Sequence, residues 1–170
     1  RRCILQIGFG NFGPTHLAAW RSLGLADDLY VVDPDEAARR RCVDLGIAPN
    51  QVSGTVTDFL EKADLVVILA PTNLHLEVCL PVLNTEKPIF IEKPMTLTLN
   101  DALAFKEMVR DQVVQVGFYF RAHPLAQRAK EEIDKGRLGD LRYMSGRFHG
   151  YKRARSDSGV VANDAVHFID

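Results

Sequence analysis

No apolar run in this 170-residue chain approaches the roughly 20 residues needed to span a bilayer, and nothing at its start resembles a secretory leader. Cysteine is scarce: Cys3, Cys42 and Cys79 lie far apart, without a CxxC pair. That spacing excludes a disulfide framework and a zinc pattern, so no metal is expected and the thiols read as buried groups in a reducing compartment. Net charge is nearly missing as well, with 21 Lys and Arg against 22 Asp and Glu. Such a balance gives no reason to expect nucleic acid or a membrane surface as a partner. Internal repeats and low-complexity segments are also lacking. What remains is an ordinary globular composition, 46% hydrophobic and 25% charged, expected of a soluble cytoplasmic protein.

The length suits one full domain and part of another. The chain opens without Met on strand-like residues and closes at His167-Phe168-Ile169-Asp170 inside a helical pattern, so it is expected to be a fragment of a longer protein. Residues 1–119 alternate strand and helix patterns, which predicts an α/β fold with a parallel sheet and crossover helices. Strands are expected at 2–7, 28–33, 52–54, 64–70, 88–91 and 112–117, and helices near 13–23, 35–45, 57–62, 73–83 and 98–110. Leu65-Val66-Val67-Ile68-Leu69 and Ile89-Phe90-Ile91 are continuous apolar runs, as in strands buried on both faces. Gly46 fits a helix C′ position, Thr98 and Asn100 are candidate caps, and Pro81 predicts a kink or stop near Leu80.

Beyond residue 120 the pattern changes. Pro124 begins a helix with Leu125, Ala126, Ala129 and Ile133 on one face, ended by Lys135-Gly136. Asp140–His149 alternates loosely as a strand, a basic loop runs from Tyr151 to Gly159, and a last helix begins near 161. One strand cannot close a domain, so 120–170 reads as the start of a second one.

The most informative stretch is 3–33. An apolar strand runs into Gly8-x-Gly10-x-x-Gly13, then an amphipathic helix, then a second strand ending in Asp33. Gly8 permits a tight turn, Gly10 admits a pyrophosphate close to the backbone, and Gly13 allows close helix packing. The helix N-terminus offers unpaired N–H groups and partial positive charge to the phosphates, with Phe9, Asn11 and Phe12 completing the loop. Asp33, 20 residues after Gly13, can accept hydrogen bonds from an adenosine ribose. Its carboxylate favours the free 2′-hydroxyl of NAD and repels the 2′-phosphate of NADP. Arg39, Arg40 and Arg41 read as a solvated helix face, with Glu36–Arg40 as an i,i+4 pair.

Two further loops leave carboxyl ends of strands, where open α/β sheets bind ligands. One holds Ala70-Pro71-Thr72-Asn73 and His75; the other holds Glu92-Lys93-Pro94. Thr72 and Asn73 suit either a helix cap or a ribose–nicotinamide contact, and His75 alone reads more readily as a surface or packing residue. Pro94 restricts Lys93 to extended backbone, and X–Pro bonds can be cis; either effect fixes where Lys93 projects. A lysine in a partly desolvated cleft has its pKa lowered toward the range useful for proton transfer.

These motifs, GFGNFG, Asp33, APTNLH, IFIEKP, GFYFRAHP, GRLGDLRYM and SGVVANDAVHFID, occur in an order that resembles the Gfo/Idh/MocA family of pyridine-nucleotide oxidoreductases. The resemblance implies a doubly wound Rossmann domain over 1–119, then the beginning of an α/β (α+β) substrate domain over 120–170. That second domain often mediates oligomerisation, so a homo-oligomer is implied. The implied activity is NAD(P)-dependent transfer of a hydride between nicotinamide and a secondary alcohol or ketone of a sugar, cyclitol or sugar derivative, with NAD the favoured cofactor. Lys93 is similar to the family's lysine at the substrate hydroxyl, with a cis Lys93–Pro94 bond. His167 resembles a proton-transferring histidine, and Asp170 an orienting or structural acid. Arg121 and its neighbour Tyr119 resemble residues near the nicotinamide and substrate.

One position departs from the family pattern. Four residues before His167 the family usually carries Asp, and here stands Asn163. On a regular helix Asn163 shares a face with His167, while the adjacent Asp164 is rotated about 100° away. An amide cannot relay a proton, so a Lys93–His167 scheme with Asn163 bonding substrate is favoured over a Lys–Asp–His one. Asn163 also keeps open a non-catalytic NAD(H)-binding regulatory or sensor protein, or an isolated cofactor domain. The basic Tyr151–Arg155 loop reads as solvated, with Lys152 a candidate for an anionic substrate group.

Overall fold

The computed structural model describes residues 2–147, 159 and 161–170, with the backbone alone at 162 and 163. Two compact units are present, one ending at Val116 and one running Gly117–Asp170. The first contains six parallel strands: β1 (Ile4–Ile7), β2 (Leu29–Val32), β3 (Val52–Ser53), β4 (Leu65–Ile68), β5 (Ile89–Ile91) and β6 (Val114–Val116). Their order is β3-β2-β1-β4-β5-β6, the arrangement in which the chain reverses its winding direction between β1 and β4. The apolar runs behave as expected of central strands. Ile4 to Ile7 and Val66 to Ile68 are buried throughout, because helices cover both faces of the sheet.

Helices α1 (Gly13–Ser22) and α2 (Glu36–Asp44) cover one face, with Leu17, Ala38 and Cys42 packed among Ile4, Leu29, Val31 and Val67. The other face is covered by the short α3 (Thr57–Leu60), by α4 (His75–Leu83) and by α5 (Leu99–Met108). There Phe59, Cys79, Val82 and Phe105 pack on Leu5, Val66, Ile68, Ile89 and Ile91. Burying each such Leu, Ile, Val or Phe side chain stabilises the fold by about 1.5–3 kcal/mol.

Helix ends follow local chemistry. Asp35 caps α2 by accepting the Ala37 N–H at 3.1 Å. At the other end Gly46 takes φ +85°, its N–H donates to the Val43 carbonyl, and Ile47 N–H donates to Cys42. This is a Schellman close, and it needs the left-handed backbone that glycine allows. Thr98 caps α5, its hydroxyl oxygen accepting the Asp101 N–H at 3.1 Å.

Two expectations are corrected. Pro81 does not stop α4 near Leu80, the second of the two alternatives expected there; the helix runs on to Leu83. Proline there lies in the last turn, so its missing N–H removes one bond with little helix left to disturb. In the second unit, α6 (Pro124–Asp134) forms as read, but the strand expected over 140–149 does not form through residue 147, and 148–149 lie outside the described residues. A strand needs a partner for its backbone groups, and this unit supplies none among its described residues. The final segment begins as a π-helical turn, Val161–Ala165, and continues as α7 (Val166–Ile169). Among the described residues no helix is long and apolar enough to cross a membrane.

Candidate functional site

Register brings the candidate residues of the first unit to one edge. Ile7 pairs with Val32 and with Ile68, and Ile68 pairs with Ile91. The next residues, Gly8, Asp33, Leu69 and Glu92, therefore leave the sheet side by side. The ladder extends into them: Gly8 N–H donates to Val32, Leu69 N–H to Ile7 and Glu92 N–H to Ile68 at 2.8–3.0 Å.

Each glycine of the loop has its own role. Gly8 has φ +100°, and a Cβ there would lie 2.8 Å from the Leu69 carbonyl carbon and 2.9 Å from Ala70 N. Backbone cannot move aside cheaply, so only glycine fits. At Gly13 a Cβ would meet the Phe9 ring at 2.8 Å, so this glycine makes room for that ring rather than for a strand. Beside Gly10 there is open space, with nothing within 4 Å of the ideal Cβ position. The loop thus fits a pyrophosphate: it is closed behind Gly8 and Gly13 and open over Gly10.

Asp33 organises this loop. It is 8% exposed; Oδ2 accepts the Phe9 N–H at 2.7 Å and Oδ1 accepts the Asp35 N–H at 2.9 Å. Each carboxylate oxygen keeps further acceptor capacity for ribose hydroxyls. Phe9 itself is fully buried, a core residue within the glycine motif.

The three arginines of α2 do not form one solvated face. Arg40 pairs with Glu36 at 2.5 Å, both exposed, as read. Arg39 instead turns back to donate to the Asp33 and Pro34 carbonyls, each at 2.8 Å. Arg41 donates to the Phe9 carbonyl and, at 3.2 Å, to that of Gly10, with its guanidinium 5.8 Å from the Phe9 ring centroid. A positive charge therefore sits against the glycine loop, which the sequence pattern alone did not reveal. The usable signal was the closeness of three arginines to the strand-end acid.

In the loop after β4, Thr72 is buried and Asn73 exposed; both line a groove of ≈380 Å³ with Leu76, Leu80 and Leu97. His75 is 1% exposed, not a surface histidine. Its Nε2 lies 2.8 Å from the Ala70 carbonyl and its Nδ1 lies 3.0 Å from the Met95 carbonyl. In the loop after β5 the Lys93–Pro94 bond is cis and Pro94 is buried. Glu92 Oε2 accepts the Lys93 N–H at 3.2 Å, while Oε1 lies 3.2 Å from Nε2 of His16 on α1. His16 is a further residue that sequence reasoning missed. Its ring stands among Phe12, Trp20 and Phe90, with centroids 5.3–6.2 Å apart.

In the second unit, His167 packs edge-on against Tyr119 at 4.8 Å and Phe120 at 5.5 Å. The Arg121 Nε donates to both oxygens of Asp170 at 2.8 and 2.9 Å, and this partner raises the guanidinium pKa further. The π-helical turn over 161–165 breaks the 3.6-residue period on which a shared Asn163–His167 face was expected. The side chain of Asn163, and the whole of Lys152 with its basic loop, lie outside the described residues.

Comparison with known proteins agrees with this architecture. Residues 3–120 match the Gfo/Idh/MocA family model, described as an oxidoreductase family with an NAD-binding Rossmann fold. A scyllo-inositol 2-dehydrogenase (NAD(+)) of Bacillus subtilis is 38% identical over 114 residues, 63% of this chain and 33% of that protein. An inositol 2-dehydrogenase of Mycolicibacterium gilvum is 26% identical over 174 residues, 98% of this chain and 50% of that protein. The solved structure of an NAD-binding protein from Listeria innocua superposes with TM-score 0.81 at 23% identity, covering 99% of this chain and 52% of that one; this likeness shows the fold. The chain spans about half the length, or less, of these relatives.

Proposed function

Because the chain belongs to the Gfo/Idh/MocA oxidoreductase family, we propose that it binds NAD along the carboxyl edge of its sheet and serves oxidation of a sugar-like secondary alcohol, or the reverse reduction. The observation that carries this reading is the shared edge. Gly10, the Asp33 carboxylate and the Lys93 loop all leave the sheet on that side, at the ends of β1, β2 and β5. The Gly8–Gly13 loop would hold the pyrophosphate and Asp33 a ribose, with Arg41 adding positive charge. The loops at Ala70–Asn73 and Glu92–Pro94 would take the nicotinamide end. NAD, when bound, supplies the hydride acceptor or donor.

The chain's own part is proton chemistry and placement. In the oxidising direction the Lys93 amine takes the proton of the substrate hydroxyl as the carbon–oxygen bond becomes a carbonyl, and in reduction the ammonium returns it. His167 retains the role its motif suggests, as a second proton-handling group. The substrate class, a sugar, cyclitol or related polyol, is supported by the relatives named as inositol dehydrogenases. A homo-oligomeric active form belongs to the same proposal.

Replacing Lys93 by Met tests the assignment. Turnover on a polyol panel should fall at least about 1,000-fold while NADH affinity stays within about 3-fold. Unchanged turnover would remove Lys93 from the chemistry. Asn163 supports one second reading, a protein that binds NAD(H) without turning over. Tight NADH binding, no activity on the panel and no gain from Asn163→Asp would favour it.

A further inference from the structure

We propose that His75 is a positioning residue for Lys93, holding the lysine loop to the loop after β4; this rests on the reading of Lys93 as the proton-transfer group. The loop that carries Lys93 is fixed on either side of the lysine. The ladder ends at the Glu92 N–H, which donates to Ile68 at 3.0 Å, and Pro94 has no N–H to give. The Lys93 N–H is taken by the side chain of Glu92 immediately before it. Two residues beyond Lys93, the Met95 carbonyl lies 3.0 Å from Nδ1 of His75. Lys93 therefore lies between two attachments of its loop, and the distal one is a histidine.

His75 suits that task. It opens α4, so its backbone moves with a helix packed on the core through Cys79 and Val82. At 1% exposure its ring has no solvent to satisfy it, and both nitrogens face backbone carbonyls from loops 25 residues apart. An apolar side chain of similar size would fill the same volume without donating to either carbonyl. On the opposite face of the sheet, His16 of α1 meets the Glu92 carboxylate at 3.2 Å. Residues 92 and 95 are thus held by histidines from helices on the two faces, with Lys93 and its cis-proline between them.

A neutral imidazole donates from only one nitrogen, and both partners of His75 are acceptors. Positioning of Lys93 requires that Nδ1 carry a proton toward Met95. Long-range proton–nitrogen correlation on histidine-labelled wild-type protein reads this directly. A protonated His75 Nδ1 is expected; a bare Nδ1, with Nε2 alone donating to Ala70, would overturn the proposal without any variant.

Two substitutions then separate the two nitrogens. In His75→Asn the amide nitrogen replaces Nδ1, whereas in His75→Gln it replaces Nε2. Lys93 is observed through its ¹³C-dimethyl resonance, assigned with Lys93→Arg. His75→Asn should keep the wild-type resonance and a kcat within about 3-fold, while His75→Gln should shift the resonance and lower kcat about 10-fold or more at unchanged KM for NAD. An unmoved resonance in both variants, or equal losses that track Tm, would make His75 a packing residue only. If wild-type protein shows no turnover and no NADH effect on Lys93, the functional reading fails instead. The resonance in the ligand-free protein would still decide the positioning role.

Discussion

The Asp33 carboxylate accepts the Phe9 N–H at 2.7 Å, tying the end of β2 to the turn that leaves β1. A residue expected to meet a ribose is thus also a strut of the loop expected to meet the pyrophosphate. Its second oxygen holds the Asp35 N–H that opens α2.

Asp33→Ala should therefore cost stability as well as affinity. It leaves two N–H groups without their acceptor, worth about 1–3 kcal/mol where they stay buried. Denaturant unfolding should show that loss, and calorimetry should show NADH binding weakened about 10-fold or more. A loss of affinity at unchanged stability would mean that the carboxylate serves the ligand alone.

Arg41 makes a different prediction. Its guanidinium is anchored by the Phe9 and Gly10 carbonyls, so its charge stands at the glycine loop without needing a carboxylate partner there. Arg41→Ala should weaken NADH about 3–10-fold, and the gap from wild type should narrow as salt rises, because screening removes the charge term. A gap independent of salt would assign Arg41 to loop structure only.

The buried thiols set an alkaline limit on stability. Burial, with the Asp33 charge second, pushes Cys42 up to about 12, and burial alone pushes Cys79 to about 12. Above the ordinary thiol value of 9.0 the unfolded chain ionises these groups while the folded protein keeps them protonated. Their contribution is complete below pH 9 and is lost as pH rises toward about 12. Urea midpoints should fall across that window, and replacing both cysteines by Ala should flatten the fall. Neither thiol should react with an alkylating agent at pH 8 until the protein unfolds.

Where periodicity is strong, the sequence was sufficient to read this architecture. Continuous runs such as Leu65–Leu69 and the punctuation at Gly46 and Thr98 located the elements because burial and capping are local in sequence. The 141–147 segment, which has no partner strand among the described residues, was not legible in this way, since loose alternation says nothing of whether such a strand exists. At the site, Gly8, Gly10, Asp33 and Lys93 carry their meaning in residue type and spacing. His16, Arg41 and the positioning role proposed for His75 do not. Each acts on a loop 20 to 76 residues distant in sequence, and only the register of β1, β2, β4 and β5 brings them together.

The loop geometry gives the most direct test of the cofactor claim. Calorimetric titration of NADH should be run on wild-type protein and Gly10→Ala, with Tm measured on both. A methyl at Gly10 meets nothing in the protein, so Tm should change little, within about 0.5 kcal/mol of stability, while NADH affinity falls at least about 30-fold because the methyl occupies the approach to the backbone. Gly8→Ala, whose methyl would strike the Leu69 backbone, should instead fail as a fold. NADH binding to Gly10→Ala with wild-type affinity would contradict the placement of the cofactor on this loop.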